Sequence, residues 1–193
     1  MYKFKEEVYD EEEFTGLVCA DMDLSNLVFR DCLFVECDFS GSKFGRSQFS
    51  GCDFKRCNFS NAKLYDTKLS EVNFNACKLA GIYFSDCNQL LFSINLVGCK
   101  AAYCNFQGMD MKGSRFAESD LSDCVFEGAD LKRTDFSKSE LKGADFSRAN
   151  LESADFRGAM EYQIDPQITR VMKAKFNYPD VLSLLKSFNV IVE

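Results

Sequence analysis

LVFRDCLFVECDFSGSKFGRSQFSGCDFKRCNFS, the stretch from Leu27 to Ser60, carries a phenylalanine at every fifth position: Phe29, Phe34, Phe39, Phe44, Phe49, Phe54 and Phe59. Neither common secondary structure has that period. On an α-helix, five steps of about 100° leave each Phe roughly 140° from the last, so the row would wind around the cylinder. On a flat strand, residues five apart point to opposite faces. A chain that turns a corner every five residues resolves the conflict. Each side of the resulting square then offers its central residue to the interior.

The register extends well beyond this stretch. It runs from Phe14 to Phe84 and resumes at Leu91 to reach Phe156; of 29 centres, 16 are Phe and 10 are Leu, with Cys19, Ala101 and Met111 departing. So uniform a choice of large apolar residues marks a buried ladder. Two residues before each centre stands a small side chain, as at Cys32, Cys37, Ser42, Ser47, Cys52, Cys57 and Cys77, then Cys104, Ser119, Cys124, Ala129 and Thr134. Between the two lies a polar residue, often Asp or Asn: Asp38, Asp53, Asn58, Asn73, Asn105, Asp110, Asp130 and Asp145. The consensus is A/C/S–D/N–L/F–x–x.

Over residues 14–156 this consensus resembles the pentapeptide-repeat family. The resemblance implies an all-β fold, a right-handed quadrilateral β-helix of 20 residues per coil and about seven coils. At an inter-strand spacing of roughly 4.8 Å the rod would be about 34 Å long. Phe34, Phe54, Phe74, Phe106, Phe126 and Phe146 are then expected in the core ladder, and Cys32, Cys52, Cys57, Cys77, Cys104 and Cys124 in the small interior slot.

The solenoid is expected to be flanked by an N-terminal cap, residues 1–13, and a C-terminal segment, residues 157–193. Within SDCNQLL (residues 85–91) the register slips by two, which places a break at 85–92 with Leu91 as the new centre. Asn88, Gln89, Leu90 and Phe92 are candidates for partner contact there; a tolerated insertion is the alternative. Asp165-Pro166 predicts a helix start, with Ile168, Val171 and Met172 on that helix. Pro179-Asp180 opens a second helix carrying Leu182, Leu185 and Phe188, and Val190, Ile191 and Val192 read as a strand. This apolar tail suits a cap on the last coil, and the resemblance implies a homodimer interface there.

The composition disfavours most chemistry. The chain has no His, the commonest general base and metal ligand. Cysteines five apart would sit on adjacent walls, so the ten Cys read as small buried residues rather than metal ligands. No phosphate loop or nucleophile elbow occurs. No catalytic residue, cofactor or metal is therefore expected. A net charge of −7 argues against direct nucleic-acid binding. No apolar run reaches the roughly 18 residues of a membrane helix, and the acidic start lacks a signal-peptide core, so a cytoplasmic protein is expected.

Family members of the fluoroquinolone-resistance type resemble duplex DNA in width and negative charge, and bind DNA gyrase or topoisomerase IV to protect it from inhibitors. The resemblance implies a similar role as a DNA mimic. Against it, residues 14–156 hold 20 acidic and 16 basic side chains, and Lys43, Arg46, Lys55, Arg56, Lys132 and Arg133 interrupt the walls. The alternative is a structural or protein–protein interaction module without topoisomerase activity, using exposed residues such as Leu33, Val35, Tyr65, Tyr83 and Tyr103. An ice-binding solenoid would want a regular Thr array, which the mixed outward positions do not provide.

Overall fold

The computed structural model describes Phe4, residues 6–188 and Val190. A corner every five residues is what makes the sequence close on itself. Corner residues two after a centre adopt left-handed backbone, for example Asp21 (φ 57°), Arg46 (φ 59°), Glu71 (φ 55°) and Asp123 (φ 55°). Glycine is required where the rung below leaves no room: a Cβ on Gly41 or Gly143 would collide with the carboxylate of Asp21 or Asp123.

Short strands form the walls: β1 (Val8–Asp10), β2 (Glu13–Thr15), β3 (Val28–Arg30), β4 (Leu33–Val35), β5 (Gln48–Ser50), β6 (Asp53–Lys55), β7 (Lys68–Ser70), β8 (Val72–Asn75) and β9 (Ile94–Val97). They pair in parallel with the strand one coil away, in the orders β1-β3-β5-β7 and β2-β4-β6-β8-β9. Regular strands thus account for about four turns. Beyond them the coils are joined by single bridges, such as Lys100↔Asp120, Asp120↔Glu140 and Glu140↔Met160. The result is a four-sided parallel β-helix.

The four walls are named here by their centres. The first holds Tyr9, Phe29, Phe49 and Leu69, and later Met111, Leu131, Leu151 and Val171. The second holds Phe14, Phe34, Phe54 and Phe74, then Leu96, Phe116, Phe136, Phe156 and Phe176. The third runs through Phe39, Phe59, Leu79, Ala101 and Leu121, and the fourth through Phe44, Leu64, Phe84, Phe106, Phe126 and Phe146. Rings stack along a wall and meet edge-on across the interior. Phe34 lies 4.7 Å from Phe54, and Phe54 5.1 Å from Phe74, in parallel; Phe34 meets Phe29 at 77°.

The structure departs from the sequence reading at three places. Near the N-terminus the repeat reaches into the expected cap, residues 1–13: Tyr9 is a buried centre stacked 5.3 Å from Phe29, and Phe4 closes the end against Tyr9, Phe14 and Phe29. At the break, Leu91 is not a centre: it is 75 % exposed at a left-handed corner (φ 58°). The unit before it has Cys87 in the slot and the exposed Gln89 where a centre belongs; the half-buried Phe92 packs on the core instead, 6.5 Å from Phe84. Ile94 and Leu96 then restore the register opposite Val72 and Phe74. At the C-terminus, the helix expected from Pro166 is absent. Thr169 occupies an interior slot, Arg170 and Lys175 bridge to Asn150 and Asp155, and Phe176 stacks 5.2 Å from Phe156. The coil wins there because Thr169-Arg170-Val171 and Ala174-Lys175-Phe176 supply a slot and a centre. Asp180–Phe188 then forms a 3-10 helix beside the last coil.

Candidate interaction surface

The interior slots are filled by donors as well as by small residues. Each reaches back to the carbonyl of a centre on the preceding rung: Thr67 Oγ1 donates to Phe44 O (2.8 Å), Ser139 Oγ to Phe116 O (2.6 Å) and Thr134 Oγ1 to Met111 O (3.1 Å). Thiols do the same more weakly, with Cys52 to Phe29 O at 3.5 Å, Cys57 to Phe34 O at 3.5 Å and Cys77 to Phe54 O at 3.3 Å. Cys32, Cys104 and Cys124 likewise contact Tyr9 O, Leu79 O and Ala101 O. All ten cysteines are buried as free thiols. Burial leads the causes that push Cys52 up to about 12, and a stacked thiol neighbour contributes at Cys57 and Cys77, which also reach about 12. Such protonated thiols are poor nucleophiles. Among the described residues no three His, Cys, Asp or Glu side chains gather as a metal group would require.

The core-ladder residues divide between two walls. Phe34, Phe54 and Phe74 stack on the second, whereas Phe106, Phe126 and Phe146 stack on the fourth at 5.0 Å intervals, above Phe84. The cysteine set is similarly split, Cys32 and Cys52 on the second wall, Cys57 and Cys77 on the third, Cys104 and Cys124 on the fourth. Neither set faces solvent, so recognition falls to the outward positions beside each centre.

Those positions differ sharply between walls. On the first and second, acids and bases pair across neighbouring rungs or within one unit: Lys112 with Asp110 (2.7 Å) and Asp130 (3.1 Å), Lys132 and Arg170 with Glu152 (both 2.9 Å), Arg56 with Glu36 (2.9 Å), Arg115 with Asp135 (3.4 Å), Lys138 with Glu118 (3.0 Å) and Arg157 with Asp155 (2.6 Å). The donated bonds from Lys112, Lys132 and Arg157 hold Asp110, Glu152 and Asp155 below their ordinary carboxylate values. On the third and fourth walls only Arg148–Glu127 (2.7 Å) forms among the described residues. Their charge is banded instead. Asp21, Asp23 and Asp38 lie toward the N-terminal end; Lys43, Lys63, Lys78 and Lys100 occupy the middle, beside Asp66 and Asp86; Asp120, Asp123, Glu140 and Asp145 lead toward the C-terminal end, interrupted by Lys142 and the paired Arg148. No wall is uniformly negative along the rod. The sequence supplied these residues but not their wall, because the two-residue slip moves every later side chain relative to the earlier ones.

At the break, Leu90 is exposed and caps its own turn through its N–H to Asn88 Oδ1 (3.0 Å); Asn88 Nδ2 donates to Asp66 (2.8 Å) and Gln89 Nε2 to Cys87 O (2.9 Å). Asn88 and Gln89 are therefore committed to the turn, leaving Leu90 and Leu91 outward. On the terminal helix Leu182 is half-buried while Leu185 and Phe188 face solvent, as does Val190 beyond it. Ile191 and Val192 lie outside the described residues. A cleft of about 520 Å³ separates this helix from the last coil, lined by Lys142, Tyr162, Gln163, Ser183 and Lys186 among others. No helix of the described residues is long and apolar enough to cross a membrane.

Comparison with known proteins agrees with this architecture. A pentapeptide-repeat family model of eight copies matches residues 91–128 and 119–158, and a pentapeptide repeat region model matches 27–106. No curated protein sequence matches. Among solved structures, a trypsin-treated form of QnrB1, a plasmid-mediated fluoroquinolone resistance protein, is 17 % identical, with a TM-score of 0.63 over 96 % of this chain and 100 % of that one. Full-length QnrB1 gives 18 % identity and a TM-score of 0.54 over 95 % and 100 %. HetL, a pentapeptide repeat protein involved in heterocyst differentiation regulation in the cyanobacterium Nostoc, is 20 % identical over 87 % of this chain and 86 % of that one, with a TM-score of 0.44.

Proposed function

The chain belongs to the pentapeptide-repeat family, and from that premise we propose that it is a non-catalytic cytoplasmic binding rod that docks an acidic face on a basic protein surface. The observation that carries this reading is the set Asp120, Asp123 and Asp145, gathered on adjacent walls with no ion pair among the described residues, while Asp110, Asp130, Glu152 and Asp155 on the opposite walls each hold a lysine or arginine. Unpaired carboxylates on one side steer and orient a cationic partner. The partner we favour is DNA gyrase or topoisomerase IV, by resemblance to the fluoroquinolone-resistance proteins. DNA mimicry is then confined to the C-terminal half, since the central lysines break the negative run.

A homodimer would lengthen that run. Leu185, Phe188 and Val190 are exposed at the end of the rod next to the acidic half, and joining two copies there would set two acidic halves end to end. Leu185→Glu with Phe188→Glu is expected to convert a dimer to a monomer in sedimentation velocity; a wild-type chain that sediments as a monomer at micromolar concentration refutes this part.

Gyrase supercoiling in the presence of ciprofloxacin tests the main reading. Wild-type protein is expected to restore supercoiling, and Asp120→Lys with Asp145→Lys to abolish the effect. No effect of wild-type protein at micromolar concentration rejects the topoisomerase as partner. A second reading, an interaction module with no topoisomerase activity, is favoured by the lysine band at mid-rod. Recovery of a specific partner other than gyrase, lost on the same acidic substitutions, would select it.

A further inference from the structure

The lysines that interrupt the negative charge collect on the third and fourth walls, together with three exposed tyrosines that cross the fourth wall: Tyr65 at its corner with the first, Tyr83 at its middle and Tyr103 at its corner with the third. Three successive coils contribute a pair each: Lys63 and Tyr65, Lys78 and Tyr83, Lys100 and Tyr103. Their register is fixed by the bridges Lys78↔Lys100 and Tyr83↔Asn105, and by Asp66 N–H donating to Asp86 O (2.9 Å) one rung over. Tyr65, Tyr83 and Tyr103 therefore run diagonally, each one rung and two residues from the next, roughly 8 Å apart at Cα. They are 69 %, 55 % and 65 % exposed. Lys63, Lys78 and Lys100 are exposed and form no ion pair among the described residues, whereas Lys112, Lys132 and Lys138, further along the rod, each hold a carboxylate.

Tyr103 stands at a corner that neighbouring coils fill with other residue types. It is a corner with φ 63°, and the equivalent corners on neighbouring coils are Asn61, Gly81, Asp123 and Gly143. Those residue types tolerate left-handed backbone; a tyrosine brings its Cβ against its own carbonyl and here gains little packing in return. The corner conformation itself is common in this chain, at Arg46, Glu71 and Leu91 among others; what sets Tyr103 apart is a large exposed ring at a position that neighbouring coils fill with Asn, Asp or Gly.

We propose that this lysine–tyrosine belt is a second docking surface, which takes an acidic segment of a partner protein and is independent of the acidic half described above. The ammonium groups supply the charge complement, and the rings supply rigid apolar faces with a hydroxyl at the tip. A nucleic-acid strand fits less well. Asp66 and Asp86 lie beside the tyrosine diagonal, and acidic bands bound the belt on both sides, Asp38 below and Asp120 and Asp123 above, so a continuing phosphate backbone would meet like charge in either direction. A short peptide confines its carboxylates to the belt.

The test is fluorescence anisotropy of the full-length protein with a fluorescein-labelled peptide of repeated Asp-Glu-Leu. Binding is expected, weakening by at least about tenfold with Lys78→Glu and Lys100→Glu, as attraction becomes repulsion. Tyr65→Ser with Tyr83→Ser is expected to weaken it as well, and Lys55→Glu with Lys68→Glu, on other walls, to leave it unchanged. Tyr103→Gly is expected to raise the melting temperature while weakening the peptide, a combination that general unfolding does not produce. The proposal is overturned by no binding to wild type, by equal loss in the Lys55/Lys68 control, or by a thymidine oligonucleotide that binds more tightly than the peptide through the same residues.

Discussion

Phe126→Ala tests the stacked interior most directly. Phe126 has no solvent exposure; its ring stacks 5.0 Å from both Phe106 and Phe146, and meets Phe116 at 5.8 Å and Phe136 at 5.6 Å edge-on. Truncating a buried Phe costs about 3–5 kcal/mol, and ring pairs held in these geometries add to burial, so the upper half of that range is expected. In a chain of this size about 4 kcal/mol corresponds to a fall in melting temperature of roughly 8–16 °C. Phe126→Leu keeps most of the volume and uses a residue that other centres already hold, so about 1–2 kcal/mol is expected. Thermal melts followed by circular dichroism separate the two, and hydrogen exchange should place the lost protection on the coils around Phe126, because a solenoid unit couples chiefly to its neighbours. If Phe126→Ala melted within about 3 °C of wild type, or no lower than Phe126→Leu, the stacked ladder would not be what holds the rod together.

The remaining predictions use the same geometry. Thr134→Val removes the bond from Thr134 Oγ1 to Met111 O while preserving shape, and should cost about 1 kcal/mol by urea denaturation; a neutral result would reduce the slot hydroxyl to filler. Thiol labelling near pH 8 should be slow in the native protein and complete in denaturant, because Cys52, Cys57 and Cys77 are pushed up to about 12; rapid native labelling of these three would contradict their burial. Asp110 and Asp155 have folded values depressed below their ordinary 3.8, so their stabilisation is complete above that value and is lost as pH falls through the folded values. Melting temperature should therefore stay level from neutral pH down to about 5 and drop below about 4, with Asp110→Asn and Asp155→Asn together flattening the drop. An unchanged acid limb in that variant would show that the pairs Asp110 and Asp155 make with Lys112 and Arg157 do not respond to protonation.

The repeat was legible because burial alone enforces it: every centre between Phe14 and Phe84 meets the same enclosed environment, so the period survives in one sequence. The errors fall where a unit keeps its backbone but loses its marker residue. Gln89 and Pro166 stand at centre positions without a large apolar ring, which hid the coil that continues past each of them. A two-residue slip can be absorbed at several points between Phe84 and Leu96, and only the coordinates show that Phe92, not Leu91, turns inward. The surface was less legible still. Lys78 and Lys100 differ by 22 in sequence but are bridge partners, and Tyr65 and Tyr83 share a diagonal through a corner that spacing alone does not reveal. Charge banding needs the register across the break, which the period does not supply.

In each five-residue unit the interior constrains the slot and the centre, and the left-handed corner constrains a third position. The outward residues beside the centre carry little of the fold. On the first and second walls they are spent on cross-rung ion pairs, which in the exposed geometry of Lys138–Glu118 contribute little to stability. On the third and fourth walls the same positions stay largely unpaired and sort by sign along the rod. Free energy gained by pairing is thus left unclaimed on one side only. Tyr103 adds an exposed ring at a corner that neighbouring coils fill with Asn, Asp or Gly. Side chains left unpaired and open to solvent on two adjacent walls alone are hard to explain by folding, and contact with partners accounts for them. Stability and binding should accordingly separate by position, interior substitutions moving the melting temperature and substitutions on these two walls moving affinity.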